Sequence, residues 1–160
     1  MAVTIAFEVA YSQLAVFASA LPHPFNDWTD RHVSQGFAWR PGSVSFRSMV
    51  EAGRHSVEIN VTDHAGSVSP EAVRAVEVPF EVPADGAVEI GSITETVPLS
   101  LKVGTYLLRC EFLQPASIDG ERVRLTFAKK DAPRFAVVRA DPELSIDGEL
   151  LTAAQPAAVG

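Results

Sequence analysis

The chain contains little cysteine, little positive charge and no long hydrophobic run. One cysteine among 160 residues, Cys110, excludes an internal disulfide and any zinc site built from several thiolates. Thirteen Lys and Arg against 20 Asp and Glu give a net charge of −7. A nucleic acid or an anionic membrane is therefore not expected as a direct partner, because phosphate binding requires a basic surface. No apolar run reaches the roughly 18 residues that a membrane-spanning helix requires.

The amino-terminal residues have the pattern of a strand and lack that of a targeting signal. Residues 1–22 contain no Lys or Arg, and Glu8 interrupts their apolar stretch, whereas a secretory signal begins with basic residues. Val3, Ile5 and Phe7 alternate with small or polar residues, which is the period of a half-buried strand. We therefore expect a cytoplasmic protein.

Alternation of apolar and polar residues continues along most of the chain. In residues 74–82, Val76, Val78 and Phe80 share one face and acidic residues occupy the other. Asp85-Gly86 then has the composition of a tight turn between two strands. Short strands at this spacing predict an all-β protein, an antiparallel β-sandwich of about eight strands that forms one domain over residues 1–140.

One short helix is predicted near residues 29–36. Thr29 is a suitable N-cap, Asp30 places negative charge in the first turn, and the glycine at the end can adopt a left-handed conformation. Trp28 and Val33 have the spacing of a hydrophobic staple.

The segment 141–160 contains four acids and no base, and its last part is rich in Ala and Pro. We expect it to be a loose C-terminal tail.

The sequence contains no recognisable catalytic pattern. Its four histidines lack the spacing of a metal site, and no nucleophile elbow, phosphate-binding glycine loop or dinucleotide motif occurs. We expect no catalytic residue, no metal and no cofactor, and therefore a binding protein.

Two ligand-binding alternatives stay open. Trp28 and Trp39 can form an aromatic platform for a carbohydrate, and Asp27, Asp30 and Asp63 can supply oxygen ligands for calcium in a site that binds calcium and lipid. The same residues can instead serve only the helix, its preceding turn and the strands.

Negative charge is concentrated in the middle of the chain. Residues 71–121 contain nine acids and three bases, whereas residues 122–139 contain one acid and six bases. The middle segment is a candidate acidic face that would attract a cationic protein.

Two blocks of short motifs follow one another between residues 7 and 113. The first consists of Asp27-Trp28-Thr29-Asp30, Gly36-Phe37, and Gly42 followed by Val44-Ser45-Phe46. The second consists of Val78-Pro79-Phe80-Glu81-Val82, Asp85-Gly86, Ser92-Ile93, Leu99-Ser100-Leu101 and Gly104-Thr105-Tyr106-Leu107-Leu108-Arg109-Cys110. In this order and spacing the chain resembles the competence protein J family, the inhibitors of the competence-associated DNA-entry nuclease.

The resemblance implies a protein without catalytic activity that binds and silences a nuclease, either the competence enzyme or a related toxin nuclease. Its carboxylates would lie in the cationic groove where DNA phosphates otherwise bind. The candidate contact residues are Asp27, Trp28, Thr29 and Asp30. A purely structural role of this block in starting the helix stays open beside direct contact.

Overall fold

The computed structural model describes residues 2–115 and 120–157 of the chain. Within these ranges the elements are, in order, β1 (Ala2–Val9), β2 (Gln13–Ala18), α1 (Asp30–Gln35), β3 (Phe37–Arg40), β4 (Ser43–Arg47), β5 (Gly53–Thr62), β6 (Ala72–Val82), β7 (Ala87–Gly91), β8 (Thr96–Ser100), β9 (Gly104–Leu113), β10 (Glu121–Lys129) and β11 (Ala136–Arg139). The predicted all-β class with one short helix is confirmed, although the strands outnumber the eight or so expected. No described helix is long and apolar enough to cross a membrane.

The strands form two sheets. One has the order β1-β5-β10-β9-β6-β11, and the other has the order β3-β4-β2-β7-β8. Neighbouring strands run antiparallel, except that β5 and β10 run parallel. The sandwich is therefore mostly antiparallel. A parallel pair needs a long crossover connection, and here the chain forms β6 to β9 between the two partners.

Alternating side chains from both sheets meet in one apolar core. On β10, the alternating apolar residues Val123, Leu125 and Phe127 are buried. The Phe127 ring makes edge contacts with the rings of Phe80 and Tyr106, and the ring centroids are 6.0 Å apart in each pair. Burial of one such side chain stabilises the fold by roughly 1.5–3 kcal/mol. The core can thus form without a disulfide, and Cys110 is one of its buried residues.

Strands β2 and β4 are not among the strands predicted above. The residues of β2 do not alternate in polarity, whereas those of β4 do, with Val44 and Phe46 between polar neighbours. Residues 14–17 of β2 are all buried. The Phe17 ring points away from the core and contacts the ring of Phe25, with centroids 5.6 Å apart. On β4, the Ser43 hydroxyl donates a hydrogen bond to the carbonyl oxygen of Pro24. The loop before α1 covers the outer face of this sheet, so both faces of these strands are buried.

The segment 141–157, for which the composition predicts a loose tail, is attached to the sandwich and to α1. The buried Arg74 guanidinium on β6 donates two hydrogen bonds to Asp141, with Nε–Oδ1 and Nη2–Oδ2 distances of 2.7 and 3.0 Å. Leu144 packs on Gly36, where an added Cβ would lie 3.1 Å from the leucine side chain. Many further attachments use backbone groups, which composition does not reveal. The tail residues 158–160 lie outside the described residues, and the domain limit at residue 140 stays a prediction.

Candidate partner-binding site

Helix α1 begins and ends where the sequence predicted. The Thr29 hydroxyl accepts a hydrogen bond from the backbone N–H of His32 at 3.4 Å, and His32 Nδ1 accepts one from the backbone N–H of Thr29 at 3.0 Å. These reciprocal bonds form a capping box in which histidine occupies the position usually held by Glu or Gln. Gly36 follows the helix with a φ of 92°, in the left-handed region that favours glycine.

The capping box also fixes the tautomer of the buried His32 ring. Because Nδ1 accepts the Thr29 N–H bond, the proton of the neutral ring is on Nε2. That nitrogen donates to the carbonyl oxygen of Ala153 at 2.9 Å. His32 therefore connects the first turn of the helix to the C-terminal segment, a role that no pattern in the sequence indicated.

The two aspartates of the predicted site lie at the surface. Asp27 and Asp30 are exposed, and within the described part of the chain neither forms an ion pair. Their loop is fixed by the buried Asn26, whose side-chain N–H groups donate to the carbonyl oxygens of Ala38 at 2.9 Å and of Ser43 at 3.3 Å. The loop is thus tied to β3 and β4 while its carboxylates stay available to a partner.

Trp28 lies between the helix and the turn that joins β1 to β2. Its ring is half-buried and makes an edge contact with the His32 ring, with centroids 6.4 Å apart. Trp28 and Val33, the two residues of the predicted staple, line one surface pocket of about 320 Å³. The pocket is lined by Tyr11, Ser12, Gln13, Trp28, Val33 and Arg47. Trp28 consequently has both a structural contact and a position beside an open pocket.

Tyr11 belongs to this surface but is not among the predicted contact residues. Its side chain is 68% exposed, which is unusual for a large aromatic residue. Tyr11 and Ser12 form a two-residue turn with φ values of 56° and 58°. Such turns usually contain Gly, Asn or Asp, so their usual sequence signal is absent here.

The acids of residues 71–121 do not form one continuous face. Among the acids that the structure describes, Glu77 and Glu81 lie on β6, Glu111 lies on β9 and Glu121 begins β10, all in one sheet. Glu89 lies on β7 of the other sheet, and the rest lie between strands. Glu77 pairs with Arg109 at 2.7 Å, and Glu71 pairs with Arg122 at 3.0 Å. Glu111 is buried and accepts a hydrogen bond from a backbone N–H of the β5–β6 loop. Part of the counted charge is therefore neutralised or hidden, and the Asp27–Asp30 loop is the more compact candidate for acidic contact.

The residues considered for carbohydrate or calcium do not converge. The Trp39 indole N–H donates to the carbonyl oxygen of Pro79 at 2.7 Å, and Trp39 lines a pocket of about 500 Å³ that does not include Trp28. Among the described residues, no group of three or more His, Cys, Asp or Glu side chains can hold a metal ion, so Asp27, Asp30 and Asp63 do not assemble one.

The sequence matches the family model of Competence protein J (ComJ) over residues 6–128. The chain belongs to the Competence protein J family. The Asp27–Asp30 loop lies inside the range matched to ComJ, and the segment that begins at residue 129 lies outside it.

Two solved structures share this fold. ComJ from Bacillus subtilis, described as an inhibitor of the DNA-degrading activity of NucA, matches with a TM-score of 0.68 and 22% identity, over 81% of this chain and 99% of that chain. A protein described as crocagin biosynthetic gene J matches with a TM-score of 0.55 and 15% identity, over 82% of this chain and 98% of that chain. At these identities the likeness concerns the fold alone. Comparison with curated protein sequences finds no significant match.

Proposed function

We propose that this protein inhibits a nuclease by binding to it, without catalysing a reaction of its own. The observation that carries the proposal is membership of the ComJ family over residues 6–128. The similarity of fold to a ComJ that is described as an inhibitor of NucA supports it. The partner is a competence DNA-entry nuclease or a related toxin nuclease, and the proposed site of action is the cytoplasm.

The proposed contact is the loop Asp27–Asp30. A nuclease binds DNA phosphates with Lys and Arg side chains, so its groove attracts carboxylates as well. Asp27 and Asp30 are exposed and have no cationic partner among the described residues. Trp28 adds an aromatic side chain between them, and aromatic residues are enriched in the buried centres of interfaces.

The first experiment measures DNA degradation by NucA from Bacillus subtilis and by any nuclease found to be encoded beside the gene of this chain. We expect an equimolar amount of the protein to stop at least one of them, with an endpoint at one inhibitor per enzyme. If no enzyme tested is slowed by about a tenfold molar excess of the protein, the proposed function is rejected.

A second experiment tests the location of the contact. Asp30→Lys should slow association with the nuclease, and more strongly at low salt, because charges across an interface act mainly on the association rate. Asp63→Lys is the matched control, since Asp63 is also exposed but follows β5 in the other sheet. Equal slowing by the two variants would indicate general charge steering and would contradict contact by the Asp27–Asp30 loop.

A further inference from the structure

The C-terminal residues 146–157, here called the strap, run along helix α1. The Arg31 guanidinium donates a hydrogen bond to the carbonyl oxygen of Glu149 at 3.0 Å. The Gln35 amide donates to the carbonyl oxygen of Leu151 and accepts from its backbone N–H, both at 2.8 Å. A paired amide of this kind fixes the strap in one register on the helix.

The strap continues to the loop that precedes the helix. After the Ala153 carbonyl oxygen accepts its bond from His32, the Gln155 carbonyl oxygen accepts one from the backbone N–H of Asp27 at 2.8 Å. The backbone N–H of Ala157 then donates to the carbonyl oxygen of Phe25 at 2.8 Å. These contacts hold the backbone of the loop and leave the aspartate side chains at the surface.

The helix needs such contacts because it is very short. Six residues form fewer than two turns, and isolated helices below about 12 residues are not stable in water. The position of Thr29 and Asp30 therefore depends on tertiary contacts, and the strap supplies several of them. The strap lies outside the residues matched to the family, although the loop that it holds lies inside them.

We propose that the strap is a positioning element that holds Asp27–Asp30 in the conformation that binds the nuclease. This inference rests on the proposed function. Fixing a binding loop before association removes the entropy cost of ordering it during association. The strap thus raises affinity through the loop, without contacting the nuclease itself.

The test is a chain that stops after Ser145. This truncation removes the strap but keeps Asp141, Glu143 and Leu144, and with them the ion pair with Arg74 and the packing on Gly36. Two quantities are compared with the full chain: the dissociation constant for whichever of NucA and the neighbouring nuclease the full chain inhibits, and amide hydrogen exchange over residues 25–33. We expect the dissociation constant to rise about tenfold or more and exchange over these residues to accelerate, while exchange in β9 and β10 stays slow.

A point variant tests the same idea in a chain of full length. Arg31→Lys keeps the positive charge beside the site but loses the planar group that bonds to the carbonyl oxygens of Ser145 and Glu149. It should weaken nuclease binding and accelerate exchange over residues 25–33 in the same direction as the truncation. Arg124→Lys is the matched control, because Arg124 on β10 pairs with Glu58 on β5 in the six-stranded sheet. It should change neither the dissociation constant nor the exchange over residues 25–33.

Each outcome decides the matter. Unchanged affinity in the truncated chain and in Arg31→Lys would overturn the positioning role while leaving nuclease inhibition by the full chain intact. Tighter binding after truncation would overturn it as well, because the strap would then be covering the site. If the truncated chain does not fold, Arg31→Lys decides alone. If the full chain inhibits neither enzyme, the proposed function fails and the binding role of the strap fails with it.

Discussion

Replacing Asp141 with Asn removes the charge partner of a buried arginine. The Arg74 side chain is 0% exposed and the Asp141 side chain is 8% exposed. The guanidinium also donates to the carbonyl oxygen of Arg47 at 2.7 Å and lies 3.4 Å from a carboxylate oxygen of Glu143. In Asp141→Asn the guanidinium stays buried and charged, but its strongest acceptor is neutral.

The expected loss follows from the burial of this pair. Removing one partner of a buried ion pair costs about 3–5 kcal/mol, because the other charge is left uncompensated. The amide oxygen of Asn can still accept one hydrogen bond, and Glu143 is close enough to retain part of the charge pairing. We therefore expect the free energy of unfolding to fall by about 3 kcal/mol, a large part of the roughly 5–15 kcal/mol of a typical domain.

Urea unfolding, followed by circular dichroism at neutral pH, measures this change. The control is Glu71→Gln, which breaks the pair between Glu71 and Arg122, whose side chains are 54% and 32% exposed. Exposed pairs contribute about 0–1 kcal/mol, so the control should unfold close to the original protein. If Asp141→Asn loses no more free energy than the control does, the buried pair does not stabilise the fold as argued.

The same pair predicts a dependence on acid. Burial alone would raise the pKa of Asp141, but its hydrogen bonds and charge pairing with Arg74, with smaller help from backbone N–H groups, outweigh this and hold the pKa below its ordinary value. The stabilisation is therefore complete above the unfolded-state pKa of about 3.9 and is lost as the pH falls through the folded-state pKa. The difference in unfolding free energy between the original protein and Asp141→Asn should shrink below about pH 4.

Three further predictions concern buried positions. Burial lowers the pKa of His55, so the unfolded chain takes up a proton first, and stability relative to His55→Gln should fall as the pH drops below about 6.5 in urea titrations. Burial raises the pKa of the Cys110 thiol well above its usual range, so a thiol reagent should label it only at the rate of unfolding. Gly91→Ala would place a Cβ 2.2 Å from the Glu95 carbonyl oxygen and should cost about 1–3 kcal/mol in the same titration.

Each of these three predictions has an outcome that would contradict it. A pH-independent difference between His55→Gln and the original protein would show that the imidazole does not titrate with unfolding. Rapid labelling of Cys110 under native conditions would show that the β9 core opens without global unfolding. For Gly91→Ala the control is Gly66→Ala, where an added Cβ meets nothing within 4 Å and only the φ of 67° opposes it. Equal losses would mean that contact with the Glu95 carbonyl is unimportant.

Parts of the fold that follow a local rule could be predicted from the sequence. Strands β6 and β10 present one face to the core and one to water, so their side chains alternate and their existence is visible in the residues. Helix α1 has a capping threonine before it and a glycine after it, and these two residues set its ends. Such signals depend only on residues that are close along the chain, so they can be recognised without knowing the tertiary structure.

The parts that were missed depend on contacts between distant segments. Strand β2 is covered on both faces, and the alternation of polar and apolar residues that marks a strand is absent from it. The parallel pairing of β5 with β10 joins strands that are separated by four others along the chain, so no local sequence pattern indicates it. Segment 141–157 attaches largely through backbone groups, which every composition supplies, so its Ala and Pro content was a poor guide to its order.

In the candidate site too, local features could be predicted from the sequence, whereas features that depend on contacts between distant segments could not. The cap pattern was sufficient to place Asp27–Asp30 at the start of a helix, with Asp30 as its first residue, and exposure of both aspartates fits that position. The pocket beside Trp28 forms because the β1–β2 turn lies next to α1, and this tertiary contact has no local signal in the sequence. The count of nine acids in residues 71–121 also overstates the available negative charge, because Glu111 is buried and Glu77 is paired with Arg109.

Asp141→Asn and the truncation after Ser145 act on the two ends of one segment and should separate stability from positioning. The asparagine variant keeps the strap and its bonds to α1, so its folded molecules should bind the nuclease as the original protein does, despite lower resistance to urea. The truncated chain keeps the buried ion pair and should lose affinity with a smaller loss of stability. If both variants lost affinity in proportion to stability, the loop would be held by the fold as a whole, and the strap would have no separate role in positioning it.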